Sequence, residues 1–308
     1  MESGLKIFTL ITVMQFIIGN LSNGFIVLIN FIDWVSERKL SSVDPILVML
    51  AISRIGLVWH VLISWFPFMD HLSSAAYVQL ISVSLWVLFN HFSLWLATIL
   101  SIFYLLKIAS FSRPIFLYLK WRVKNVILMM MLAALVFLFL NLIVINTHVE
   151  DWNHRFERIT TWNSTVSDSA ALSQLIMLEM IMFSLIPFVL ALISFLLLIF
   201  SLWKHLQKMK LNSKGLRDPR TKAHTNALKI IISFLLLYTT YFLCLLVSWI
   251  SHIHQIKMVQ VLSGTIGLLY PSSHSLILIL GNSKLRQASL LVLRQLKCGT
   301  KDEKFITL

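Results

Sequence analysis

Arg54 is the side chain that asks most of its surroundings, because it stands in the string Leu50-Ala51-Ile52-Ser53-Arg54 inside a long apolar run. A guanidinium keeps its proton and five N–H donors, so in a water-free interior it is tolerated only where other groups face it. The polar residues that could do so lie in other apolar runs: Asn20 and Asn23 in the first, and Ser272, Ser273, His274 and Ser275 in the last. Such a cluster reads either as a polar hub that differs between two arrangements of a helix bundle or as a static knot. Trp86 and Asn90, four residues apart, share one face of a helix. Together with Trp65, Phe183, Tyr241, Gly264 and Gly267 they supply the mostly aromatic, sparsely polar lining of a small-molecule cleft. Any one of these aromatics taken alone is more often core packing. His91 reads as a hydrogen-bonded packing histidine facing a neighbouring helix, and Pro187 and Pro271 are expected to interrupt and kink their helices.

Catalytic chemistry is not legible. His252 and His254 have no acidic neighbours, and no nucleophile–base pair or ligand cluster of suitable spacing occurs. Lys257 falls at or outside the edge of the last apolar run, so a retinal lysine is absent from it. Neither an enzyme nor a cofactor is expected. A channel or transporter would place acidic groups along a path, yet Glu179, near the end of a run, is the one acidic candidate inside them, while Asp33 and Asp44 sit at run ends.

The elements that position these residues follow from hydropathy. Of the 308 residues 58% are hydrophobic and 13% charged, against roughly 25% charged in soluble chains. Seven apolar runs have the length that crosses a bilayer, near 7–32, 45–68, 77–108, 123–145, 172–203, 228–250 and 258–280. They are continuous, lack two-residue alternation and must satisfy their own backbones, so they are helices. One domain covers 1–308, without repeats. The first run lacks the basic start and cleavage site of a signal peptide and stays as a span. Long connections are expected at Asn146–Ala171 and Lys204–Lys229.

Charge sets the expected topology. Of the 26 Lys and Arg residues, 21 fall in the loops after the first, third and fifth runs or after the seventh, and four fall on the opposite side. The positive-inside rule then puts the N-terminus outside and the C-terminal tail, 281–308, in the cytosol, with the plasma membrane as the expected location. The net charge of +13 is thereby accounted for by topology and anionic lipid, not nucleic acid. The sequon at Asn163 lies on the outer side, whereas Asn20-Leu21-Ser22 is buried in a span. Leu285, Ala288, Val292, Leu293 and Leu296 share a face and predict an amphipathic helix along the inner leaflet. Cys298 follows it as a candidate for S-palmitoylation, with a free thiol the alternative. Neither it nor Cys244 implies a disulfide framework.

Longer strings carry a resemblance. Ile18-Gly19-Asn20-Leu21-Ser22-Asn23-Gly24-Phe25-Ile26, Leu50-Ala51-Ile52-Ser53-Arg54, Asn90-His91-Phe92-Ser93-Leu94-Trp95-Leu96-Ala97-Thr98, Phe103-Tyr104-Leu105-Leu106-Lys107-Ile108-Ala109 and Tyr270-Pro271-Ser272-Ser273-His274-Ser275-Leu276-Ile277-Leu278 occur in order along the chain. They resemble the taste receptor type 2 (bitter) family. The Asp-Arg-Tyr and Asn-Pro-x-x-Tyr motifs of rhodopsin-like receptors are missing, as is a cysteine at the start of the third run. The resemblance implies a seven-helix G-protein-coupled receptor for bitter small molecules that acts on a gustducin-type heterotrimeric G protein. It also implies agonist contacts at Trp65, Trp86, Asn90, Tyr241 and Gly264, switch positions at Arg54, Tyr104, Lys107 and His274, and glycosylation at Asn163. Some relatives carry an acidic or amide side chain where this chain has Gly264, so neutral, mostly apolar ligands are expected. A vomeronasal type 1 pheromone receptor and, less well, a small transporter are the competing readings.

Overall fold

Residues that can neither leave the bilayer nor expose their amides have one local solution, and the computed structural model adopts it. It describes residues 2–36, 41–64, 76–158, 162–212 and 219–306. Among these the elements are helices: α1 (Glu2–Val35), α2 (Asp44–Ser64), α3 (Ala76–Ile108), α4 (Pro114–Trp121), α5 (Val123–Arg158), α6 (Trp162–Asn212), α7 (Pro219–Ile253), α8 (Lys257–Gly267), α9 (Leu269–Gly281) and α10 (Ser283–Ile306). Seven spans, with α8 and α9 together forming the seventh, are long and apolar enough to cross a membrane.

The bundle is apolar outside and polar at its centre. Leu21 is 70% exposed and Met129 68%, whereas Arg54, Asn23, Asn90 and Ser275 are fully buried. In water that surface would be a large aggregating patch; in lipid it is the solvated face. Association of the helices then relies on close packing and buried polar contacts rather than on the hydrophobic effect. Gly56 of α2 lies directly under the ring of Phe89 on α3. Gly19 of α1 meets Val58 of α2 and Ser272 of α9 in the same way, at 3.3 and 3.4 Å from where a Cβ would stand.

Central α3 is bound on two sides by polar contacts. His91 Nε2 donates to the Ala134 carbonyl of α5 over 2.7 Å, which fixes its tautomer and gives it the packing role expected from sequence. Toward α6, the Ser101 and Ser194 hydroxyls are 2.6 Å apart, and Thr98 Oγ1 donates to the Pro187 carbonyl at 3.0 Å.

Three expectations change, and that for Pro271 is met. The long connections are mostly helix: α5 runs on to Arg158 and α6 begins at Trp162. Apolarity ends at the hydrocarbon edge, but the helix does not, because polar residues beyond it still pair along the helix, as Asn146 does with Glu150 at 2.9 Å. The connection between the third and fourth spans contains α4, started by Pro114 at its first turn. Pro187 does not interrupt α6, which continues as helix through it. The seventh span, by contrast, is two helices broken at Leu268. Pro271 has no N–H to return to the Gly267 carbonyl, so the ladder fails at that turn.

The helix after the seventh span is present. Leu285 is buried against the bundle, while Val292 and Leu293 are exposed. Its apolar surface is wider than the expected stripe, since Leu290 and Leu291 are exposed as well. Cys298 lies in α10 and Asn163 in the first turn of α6 rather than in a loop; the side chains of both fall outside the described residues.

The packing of Gly56 makes a prediction. Gly56→Ala puts a methyl group into the Phe89 ring near its attachment, so the α2–α3 contact must open. The protein should lose about 1–3 kcal/mol of stability, seen as a lower unfolding temperature of the purified protein. Gly264→Ala, where a Cβ meets nothing within 4 Å, should leave that temperature unchanged.

Candidate functional site

A cavity of about 380 Å³ opens in the half of the bundle away from the basic loops, within the range of small-molecule sites. Its walls come from α2 (Leu57, His60, Val61), α3 (Trp86), α6 (Met177, Met180, Ile181), α7 (Tyr241, Cys244, Leu245, Ser248), α8 (Ser263, Gly264, Gly267) and the break that follows, with Leu268 and Pro271. Trp86, Tyr241, Gly264 and Gly267 of the residues singled out in the sequence thus meet around one space. Asn90 stands behind that wall: its Oδ1 accepts the Tyr241 hydroxyl, which fixes the direction of the ring. Phe183 turns elsewhere, lining a narrow crevice with Asn90, His91 and Trp95 and meeting Phe137 of α5 edge-on at 6.4 Å. Met180 lies between the two spaces and lines both. Trp65 lies outside the described residues.

The lining is close to neutral. His60 is held by Ser82 at 3.1 Å, and the Ser248 and Ser263 hydroxyls pair across α7 and α8 at 2.7 Å. No carboxylate is among the lining residues. Sequence reasoning missed His60, Cys244, Ser248 and Ser263, although a signal existed. Tyr241, Cys244, Leu245 and Ser248 recur at the spacing of one helical face, as do Gln260, Ser263, Gly264 and Gly267.

The floor of the cavity is the top of the polar hub. Tyr241 leans on Tyr270 with ring centroids 5.0 Å apart, and the Arg54 guanidinium lies over the Tyr270 ring, 5.0 Å from its centre. Arg54 Nη1 donates to Ser275 Oγ at 3.1 Å, and Ser275 donates to Asn23 Oδ1 at 2.6 Å. Asn23 Nδ2 donates onward to the Gly19 and Pro271 carbonyls, at 2.8 and 3.1 Å. The hub therefore joins α1, α2 and α9 through neutral groups. Asn20, proposed above as a partner of Arg54, instead accepts from Trp59 Nε1 at 2.9 Å, because it faces the outer side of α1. Of the serines and histidine in the last span, Ser275 alone bonds Arg54; His274 packs on the Phe234 ring at 4.2 Å.

At the basic end, a second polar space of about 460 Å³ is lined by Asp33, Asp44, Tyr104, Asn282 and Lys284. Lys284 bridges Asp33 at 2.7 Å and Asp44 at 3.2 Å and donates to Asn30 at 2.8 Å. This clasp ties α10 to α1 and α2. Tyr104 is part of the space, while Lys107 lies over the Phe103 ring at 5.2 Å. The clasp was not legible, because its residues come from three segments far apart in the chain.

The profile of the family described as taste receptor protein (TAS2R) matches residues 1–297. The chain belongs to the taste receptor type 2 (bitter) family. It is 64% identical to taste receptor type 2 member 13 of Homo sapiens over 296 residues, covering 95% of this chain and 97% of that one. The Pongo pygmaeus protein of the same description is also 64% identical over 296 residues, with the same coverage. That of Mus musculus is 59% identical over 297 residues, 96% of this chain and 97% of its own. The taste receptor family identity makes the chain a multi-pass membrane receptor and not an enzyme, and it displaces the pheromone-receptor and transporter readings. Cys298 lies just beyond the matched residues.

The hub is testable by itself. Ser275→Ala removes the hydroxyl that links Arg54 to Asn23, leaving a buried charge with one partner fewer. The expected loss is about 1.5–3 kcal/mol, read as a fall in unfolding temperature. An unchanged temperature would mean that the link contributes nothing to stability.

Proposed function

We propose that this chain is a plasma-membrane bitter taste receptor, its N-terminus outside and its basic loops in the cytosol. It binds neutral, mostly apolar small molecules in the cavity around Trp86 and Tyr241 and activates a gustducin-type heterotrimeric G protein. The observation that carries the ligand class is the lining itself: aromatic and aliphatic walls, a few hydroxyls already paired, and no carboxylate. A cationic ligand buried there would have no counter-charge, and its desolvation would go uncompensated. Gly264 leaves open space where a side chain could stand. Asn163 is the proposed glycosylation site and Cys298 a proposed site of acylation.

The contact order suggests the coupling. A ligand shifts the receptor only if it binds one arrangement better than the other. Tyr241 touches both the cavity and Tyr270, and Tyr270 touches Arg54, so a ligand that moves the Tyr241 ring works against the hub. Arg54 and His274 are the proposed core switch positions. Asn23 and Pro187 are proposed to hold α1 and α6 in register, and Asn90 to orient Tyr241. Tyr104 and Lys107 stand at the α3 end that would face the G protein. Trp65 and Phe183 are the weaker members of the ligand set, one outside the described residues and the other turned to a separate crevice.

Cells expressing the chain with a gustducin-like or promiscuous G protein should give dose-dependent calcium responses to some neutral bitter compounds. Trp86→Ala should raise the half-maximal concentration more than tenfold and Tyr241→Phe about tenfold, at equal surface expression. Responses that survive both changes would place the agonist elsewhere. Gly264→Glu should admit cationic agonists that the unmodified receptor ignores; an unmodified receptor responding mainly to cations, and weakened by Gly264→Glu, would overturn the proposed ligand class.

A further inference from the structure

The hub has more donors than its neighbours can use. Arg54 is fully buried and permanently charged, and its Nη1 is bonded to Ser275, yet Nε and Nη2 have no partner among the described residues. The Tyr270 hydroxyl lies near both Arg54 and the Ser93 hydroxyl, and the two hydroxyls are buried with no partner at good hydrogen-bond geometry among the described residues. Four N–H or O–H groups from α2, α3 and α9 therefore lie near one another with nothing negative among them. Asp44, ten residues earlier on α2 and so roughly 15 Å along the helix, is already held by Lys284. A single positive charge in a medium of low dielectric, without a counter-ion, is among the most costly arrangements a membrane protein can hold.

From this geometry we infer that Arg54, Tyr270 and Ser93 form a binding site for a small monovalent anion, with chloride as its physiological occupant. Water could accept the spare hydrogen bonds but would leave the charge uncompensated. A halide answers both, since it is negative, nearly spherical and accepts donors from any direction. Tyr270 touches both Arg54 and the cavity-lining Tyr241, so anion occupancy and ligand binding act on the same side chain.

The test uses the full-length receptor in lipid nanodiscs. Thermal unfolding is followed at constant ionic strength while sodium gluconate is replaced by sodium chloride or bromide. The unfolding temperature should rise saturably with either halide and stay flat in gluconate. Arg54→Gln should abolish the dependence. Because that change also removes a charge on which packing relies, Ser93→Ala and Tyr270→Phe carry the test further. Each keeps the charge and loses one donor, and each should raise the half-saturating chloride concentration about tenfold. Identical unfolding in chloride and gluconate would mean that water alone fills the hub and would overturn the proposal. A halide effect of unchanged strength in Ser93→Ala and Tyr270→Phe would overturn it too, by locating the anion elsewhere, such as the basic loops.

Discussion

Everything in the middle of this receptor is arranged around one charge. Arg54 cannot lose its proton and cannot reach water, so helices with little hydrophobic reason to associate in lipid must bring polar groups to it. Ser275 and Asn23 answer from α9 and α1, and the Tyr270 ring answers with its face. Asn23 then reaches the Pro271 carbonyl, in the turn that follows the break at Leu268. The break and the buried charge are thus two parts of one structure.

That arrangement also shapes the cavity. The helix of the seventh span breaks at Leu268, and the break residues Leu268 and Pro271 line the space above the hub. Tyr241 and Tyr270 stand between the cavity and the charge, with Asn90 holding the Tyr241 hydroxyl and Arg54 over the Tyr270 ring. At the far end, Lys284 gathers Asp33 and Asp44 and closes α10 onto α1 and α2. The molecule has a neutral opening, a charged centre and an ionic clasp, and the bundle links the three.

The spans were legible because a run of about 20 apolar residues has few other uses. Ser275 was legible as a partner of Arg54, and Asn23 as a member of the same cluster that reaches it through Ser275, since a buried guanidinium narrows the choice to polar residues inside other spans. Asn20 shows the limit: it lies three residues from Asn23, but hydropathy does not say which face of α1 turns inward. The helical extensions of α5 and α6 beyond the bilayer edge were hidden for a related reason, because apolarity records membrane thickness and not helix length. Phe183 was assigned by depth alone, whereas its rotation on α6 directs it to α5. His60 and the Ser248–Ser263 pair went unnoticed because short hydroxyls and one histidine look like ordinary span residues until the helices meet.

The central claim is that agonists occupy the space between Trp86 and Tyr241, and Cys244 gives direct access to it. The chain has two cysteines, and Cys244 lines the cavity while Cys298 lies in the tail helix. In a Cys298→Ser background, a small thiol-reactive reagent can be timed against Cys244 alone, with and without an agonist found by calcium response. Labelling that slows as agonist rises, with the concentration dependence of the response, is the predicted result. A labelling rate unchanged at saturating agonist would show that the cavity stays empty while the receptor signals, and would contradict the account.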